Sequence, residues 1–138
     1  MDKFKFLEHT ADMKFQAYGK TIEEAFKNSA LALISVMTKD KIKEKEKKKI
    51  KIEGKDLENL LYNFLEEFLI LLDSENFVLS KIRKIKIEKK KHYSLVADIS
   101  GDNAENYEFN LDVKAVTYNE MFVKKEKDKF ICQVVVDV

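Results

Sequence analysis

A chain of 138 residues, 45% hydrophobic and 37% charged, has the size and balance of one folded domain, which excludes a disordered polymer. Its 26 basic and 25 acidic residues leave a formal net charge of +1, and Arg83 is the only arginine. Hydrated lysines and a near-neutral total exclude a dedicated sequence-reading nucleic-acid surface and any long-range field that would steer RNA.

The single cysteine, Cys132, rules out an intramolecular disulfide and suits a reducing compartment. With only His9 and His92 beside it, the usual cysteine/histidine zinc site cannot be assembled. The opening residues hold no apolar signal core, and the most apolar stretch, Phe64 to Leu72, is short and interrupted by Glu66 and Glu67. The expectation is a cytoplasmic protein with no membrane partner.

In chain order, Phe4 and Phe6 alternate with Lys3 and Lys5 as in a half-buried strand. The polar turn Leu7-Glu8-His9-Thr10-Ala11-Asp12 follows, and then a second alternating run from Met13 to Gly19, an antiparallel neighbour of the first. Thr21 and Glu24 have the spacing of a capping box, and Ile22, Ala25, Phe26, Ala30, Leu33 and Met37 predict a helix over 22–37. Lys39 to Lys51 reads as a solvated, lysine-rich lead into an edge strand that closes at Gly54. An RNA-phosphate contact is the alternative reading of that run.

Asp56 is placed to cap a second helix whose apolar face spans Leu57, Leu60, Leu61, Phe64, Leu65, Phe68 and Leu72. Leu69, Ile70 and Leu71 widen that face, so the helix is either buried deeply or covered by a partner. From Phe77 the period becomes two, with a register irregularity expected near Arg83 or Lys84 and a turn at Glu88 to Lys91. A strand through Tyr93, Leu95, Ala97 and Ile99 is followed by an expected turn at Gly101-Asp102-Asn103. Tyr107 to Ala115 reads as one face of a long strand ending near Thr117 to Asn119, and Phe122 to Val136 as a closing hairpin turning at Glu126-Lys127-Asp128. The fold class is α+β: one compact domain of antiparallel or mixed sheets with two main helices. The strand-helix-strand segment at about 43–90 reads as an inserted unit packed on the main sheet.

The first turn and the last strand carry the candidate chemistry. If they meet, Asp12, Asp137 and the Val138 carboxylate form an oxygen-only cluster. Carboxylates held close repel one another unless a cation sits between them, which is the case for a hard divalent ion such as calcium or magnesium, with manganese a further choice. Taken singly, Asp12 also reads as a turn residue bonding its own backbone, and Asp137 as part of a frayed tail. The valine run before Asp137 argues for a paired strand instead. His9 is more simply a structural histidine or one that orients Asp12 or Asp137 than a metal ligand.

Phe6 to Asp12 together with Tyr18 to Phe26, Val113 to Tyr118 and Val134 to Val138 resemble, in that order, the signature stretches of the archease family. The resemblance spans the chain and implies a compact α+β fold with a smaller inserted strand-helix-strand unit. It implies an accessory protein, not an enzyme: archeases assist the RtcB-type RNA ligase that joins tRNA halves, promoting its nucleotidylation and its multiple turnover. In that reading the tRNA halves are met only through the ligase. The resemblance also implies a divalent-metal site, described with calcium, at Asp12, Asp137 and Val138. His9 and Lys114 match motif positions, as contacts behind the site or with the partner. Asn119 stands where family members often have histidine, and an amide can hydrogen-bond but cannot shuttle protons near neutral pH. A chaperone-like or scaffolding protein, presenting the apolar helix around Phe64 to Leu72 to clients, is the alternative.

Overall fold

Helices that are apolar on more than one side need cover on more than one side, and both helices of this chain pack against strands of two different sheets. The computed structural model describes residues 2–8 and 11–138. Its elements are β1 (Phe4–Leu7), β2 (Met13–Gly19), α1 (Ile22–Met37), β3 (Glu46–Gly54), α2 (Leu57–Glu75), β4 (Phe77–Lys89), β5 (Tyr93–Asn103), β6 (Ala115–Glu126) and β7 (Lys129–Asp137). One sheet has the order β1-β2-β7-β6 and the other β3-β5-β4, with every pairing among the described residues antiparallel.

Helix α1 starts as its sequence requires. The Thr21 hydroxyl accepts from the Glu24 N–H at 3.1 Å, while the Glu24 carboxylate reaches one residue past the usual partner to accept from the Lys20 N–H. Ala25, Phe26, Ala30, Leu33 and Met37 are buried between β2 and β7 on one side and β4 on the other. Asp56 caps α2 by accepting from the Asn59 N–H at 2.7 Å, and Asn76 ends it in the left-handed conformation at φ 53°. The wide apolar face of α2 is answered by burial: Leu60, Leu61, Phe64, Leu65 and Phe68 are enclosed, and Ile70 is left exposed. The core cluster runs through both sheets, from Phe15 to Val136.

The register irregularity expected near Arg83 is present, as shifts between Leu79 and Lys81 and between Ile82 and Lys84. Two expectations need correction. Gly101, Asp102 and Asn103 are not a turn but the last residues of β5, paired with Leu79, Val78 and Phe77. Glycine is required there by contact, since a methyl group on Gly101 would run into the Val78 carbonyl and the Phe77 ring. Tyr107 to Lys114 is not a strand either. The segment crosses the end of α1, where the Asn110 N–H donates to the Met37 carbonyl at 2.8 Å and the Thr38 hydroxyl donates to the Glu108 carbonyl at 2.6 Å. Its alternation holds only in part, with Val113 buried and Asp112 exposed but Leu111 exposed as well, and among the described residues no strand pairs with it. The 43–90 segment supplies β3, α2 and β4, and β5, the middle strand of their sheet, follows it in sequence.

Candidate functional site

Strand β7 is the middle of the site. Its run Val134-Val135-Val136 is fully buried, and it pairs with β2 on one side and β6 on the other. Met13 lies opposite Val136 in the β2 ladder, and Ala115 lies opposite Asp137 in the β6 ladder. One position beyond Met13 is Asp12, so continuing the register sets Asp12 beside Asp137 at the end of the sheet. Val138 follows directly. The start of β2, the end of β7 and the start of β6 thus converge on one corner.

Asp137 is exposed and makes no ion pair among the described residues. Asp12 is half-buried in the turn. Lys114 joins the corner through its backbone, whose N–H donates to the Asp137 carbonyl at 2.8 Å, while its side chain is exposed. That bond fixes the Asp137 backbone and does not draw on its carboxylate. His9, expected behind the acidic pair, lies outside the described residues.

Asn119 is held elsewhere. Between Thr117 and Phe122 the β6–β7 register shifts, and the intervening residues bulge from the ladder with Glu120 at φ 54°. The Asn119 N–H donates to the Thr117 hydroxyl at 3.3 Å, and its side chain is exposed on the bulge rather than at the strand end with Asp137.

A polar chain that the sequence did not suggest sets this bulge. The Tyr18 hydroxyl donates to the Gln16 side-chain carbonyl, Gln16 donates to that of Gln133, and the Gln133 amide donates to the Glu120 carbonyl at 2.8 Å. Lys14 bridges to the Glu120 carboxylate at 3.1 Å. Tyr118, next in the bulge, stacks on Tyr62 of α2 at 4.3 Å between centroids and accepts a hydrogen bond from Asn59. Gln16 and Gln133 sit at positions that strand alternation turns away from the helices, and that parity was the only signal available for the pairing.

Chemically, the corner offers oxygen and little else. Among the described residues no group of three or more His, Cys, Asp or Glu side chains is gathered to hold a metal ion. Asp12, Asp137 and the backbone oxygens of Val138 amount to an open, incomplete set, which fits a hard cation that retains water or takes ligands from a partner, and does not fit zinc. The one thiol is no nucleophile: Cys132 is fully buried in β7, and burial pushes its pKa up to about 12. No helix among the described residues is long and apolar enough to cross a membrane.

Comparisons with known proteins give the family and the fold. Residues 4–138 match the model of the Archease protein family (MTH1598/TM1083). The chain is 41% identical to the protein archease of Pyrococcus abyssi with full coverage of both, and 39% identical to that of Methanosarcina acetivorans over 99% of this chain and 96% of the relative. Among solved structures it is similar to Methanobacterium thermoautotrophicum protein 1598, with a TM-score of 0.87 and 35% identity over the whole of both chains. It shares its fold with a Thermotoga maritima protein described as an archease, possible chaperone, with a TM-score of 0.65, 20% identity and coverage of 97% of this chain and 96% of that one. This chain belongs to the archease family.

Proposed function

We propose that the protein is a cytoplasmic accessory factor, not a catalyst, that activates an RtcB-type RNA ligase by promoting its nucleotidylation and multiple turnover. The observation that carries this reading is the corner at which β2, β7 and β6 end together, with Asp12 beside Asp137 and Val138. In a family member, that arrangement is what a divalent-metal site on a docking protein would need.

The residues divide the work. Asp12, Asp137 and Val138 would hold the cation, calcium being the first choice and magnesium or manganese the others. When bound, the ion supplies positive charge for the phosphates of a nucleotide or for carboxylates of the partner. The buried valines of β7 keep the corner rigid, so the acidic oxygens need little ordering on docking. Lys114 at the corner, and Asn119 on the bulge further along β6, are proposed as contacts for the ligase. His9 is proposed to orient one of the acids, and the acidic corner itself meets tRNA halves only through the ligase.

A chaperone-like role draws on the words used for the Thermotoga relative. The apolar α2 surface it calls on is largely enclosed here, with Phe64, Leu65 and Phe68 at 2% exposure or less. The activator reading therefore stands first. Its test is a ligation assay with catalytic amounts of an RtcB-type ligase, with and without this protein, in chelated and metal-replete buffers. Stimulated turnover that disappears on chelation is expected, and unchanged ligation would refute the proposal.

A further inference from the structure

The outer face of the three-stranded sheet carries a charge pattern that the acidic corner does not use. Strand alternation sends Ile50 and Ile52, Leu95 and Ala97, and Ile82 into the core, so their neighbours in sequence face outward. In register, Lys47 and Lys81 flank Ser100, Lys49 and Lys84 flank Asp98, and Lys51 and Lys86 flank Val96. Each outer strand thus presents a file of lysines, with short side chains on the strand between them. Sheet geometry sets the two files about 10 Å apart and successive lysines within a file about 6.7 Å apart. Arg83 lies at the register shift, and a shallow depression of about 380 Å³ is lined by Lys47, Lys49, Arg83 and Asp98.

Glu44 covers one end of this face, accepting from Ser100 at 2.7 Å and pairing with Arg83 at 3.2 Å, and beyond that end little neutralises the lysines. Lys49 meets Asp98 only at 3.8 Å, and Lys86 meets Glu88 at 3.0 Å. Lys47, Lys51 and Lys84 have no ion-pair partner among the described residues, while Lys81 lies near the Glu44 carboxylate. Since the whole chain has a net charge of only +1, this positive excess is segregated onto one sheet face.

We propose that this face binds the phosphate backbone of a nucleic acid, specifically RNA. The choice of RNA over DNA rests on the ligase reading, and the backbone binding does not. Two files of cations along a trough complement a polyanion that lies in it. An acidic protein is the poorer match, because lysine is depleted at protein interfaces and Val96 is the one apolar side chain the face exposes. No aromatic ring projects from the face to stack on a base, so binding reads charge and not sequence.

The experiment is fluorescence anisotropy of a short labelled single-stranded RNA with this protein alone, titrated at several salt concentrations. The proposal expects binding at low salt that weakens steeply as salt rises, with the same affinity for RNAs of different sequence. Lys49→Gln with Lys84→Gln, and Lys51→Gln with Lys86→Gln, should each weaken binding about tenfold at low salt. Each lysine removed should lower the slope of log affinity against log salt by about 0.7. Lys124→Gln with Lys125→Gln, on the β6–β7 hairpin, should leave affinity within twofold of the parent. No binding at low salt, or equal losses in the sheet and hairpin variants, would overturn the proposal. So would sheet variants that bind RNA normally but lose their complex with the ligase, which would assign the face to a protein. Because no ligase is present in the titration, a failed activation assay leaves its result standing.

Discussion

Met13 of β2 pairs with Val136 of β7, and the same register carried on by one residue sets Asp12 against Asp137 at the sheet's end. A slip of one residue would turn Val134 and Val136 out of the core, so burial of those valines enforces the register and with it the acidic pair. The replacements Asp12→Asn and Asp137→Asn keep side-chain shape and alter no buried apolar contact. Asp137→Asn should therefore shift stability by no more than about 0.5 kcal/mol. Each variant should stimulate the ligase at least about tenfold less than the parent, as is typical when groups around a metal are disturbed. Thermal melts alongside turnover assays separate the two effects.

The bulge between Thr117 and Phe122 depends on Gln133, which is 7% exposed and donates to the Glu120 carbonyl while accepting from Gln16. Gln133→Ala removes one hydrogen bond from the Glu120 carbonyl and one from Gln16. It should cost about 1–3 kcal/mol and speed amide exchange in residues 118–121. Denaturant unfolding and hydrogen exchange provide the check, and exchange limited to other segments would show that the bulge is held by other means.

Gly101→Ala addresses the packing of β5 on β4. The added methyl meets backbone and an aromatic ring rather than the free end of a flexible side chain, so nothing nearby gives way cheaply. Destabilisation of at least about 2 kcal/mol is expected, measured as a lowered urea midpoint with an unchanged m-value.

How far these features could be read from the sequence varies with what determines them. Both helices, the capping roles of Thr21 and Asp56 and the hairpin at Lys127 follow from local chemistry, and the structure has them where periodicity put them. The paired strand up to Asp137 was accessible because an unbroken valine run implies one. Two misreadings have a common cause. Gly101 looked like a turn because close packing against Phe77 leaves no trace in the neighbouring residues, and Tyr107 to Lys114 looked like a strand because alternation records burial on one side but not the presence of a partner strand. The Gln16–Gln133 bond joins residues far apart in the chain, and no local pattern encodes it.

Tyr107 and Asp102 provide a pH test. The Tyr107 hydroxyl donates to the Asp102 carboxylate at 2.6 Å and accepts from the Lys43 N–H at 2.9 Å. That hydroxyl, more than the Asn103 N–H that also donates to it, holds the Asp102 carboxyl below the usual carboxylate range. A depressed carboxylate contributes stability at pH values above about 4 and loses that contribution as pH falls through its lowered folded-state value. Tyr107→Phe should therefore destabilise most near neutral pH, and the gap from the parent should narrow as pH drops below about 4. Chemical denaturation at several pH values would reveal a gap that stays constant if the carboxylate plays no part.

The account rests on two acidic side chains from opposite ends of the sequence sharing one cation, and calorimetric titration of calcium into metal-free protein tests that most directly. The prediction is one site per chain, abolished by Asp12→Asn and by Asp137→Asn and retained by Asp128→Asn in the distant hairpin turn. Absence of binding to the parent, or equal binding by all three variants, would contradict it.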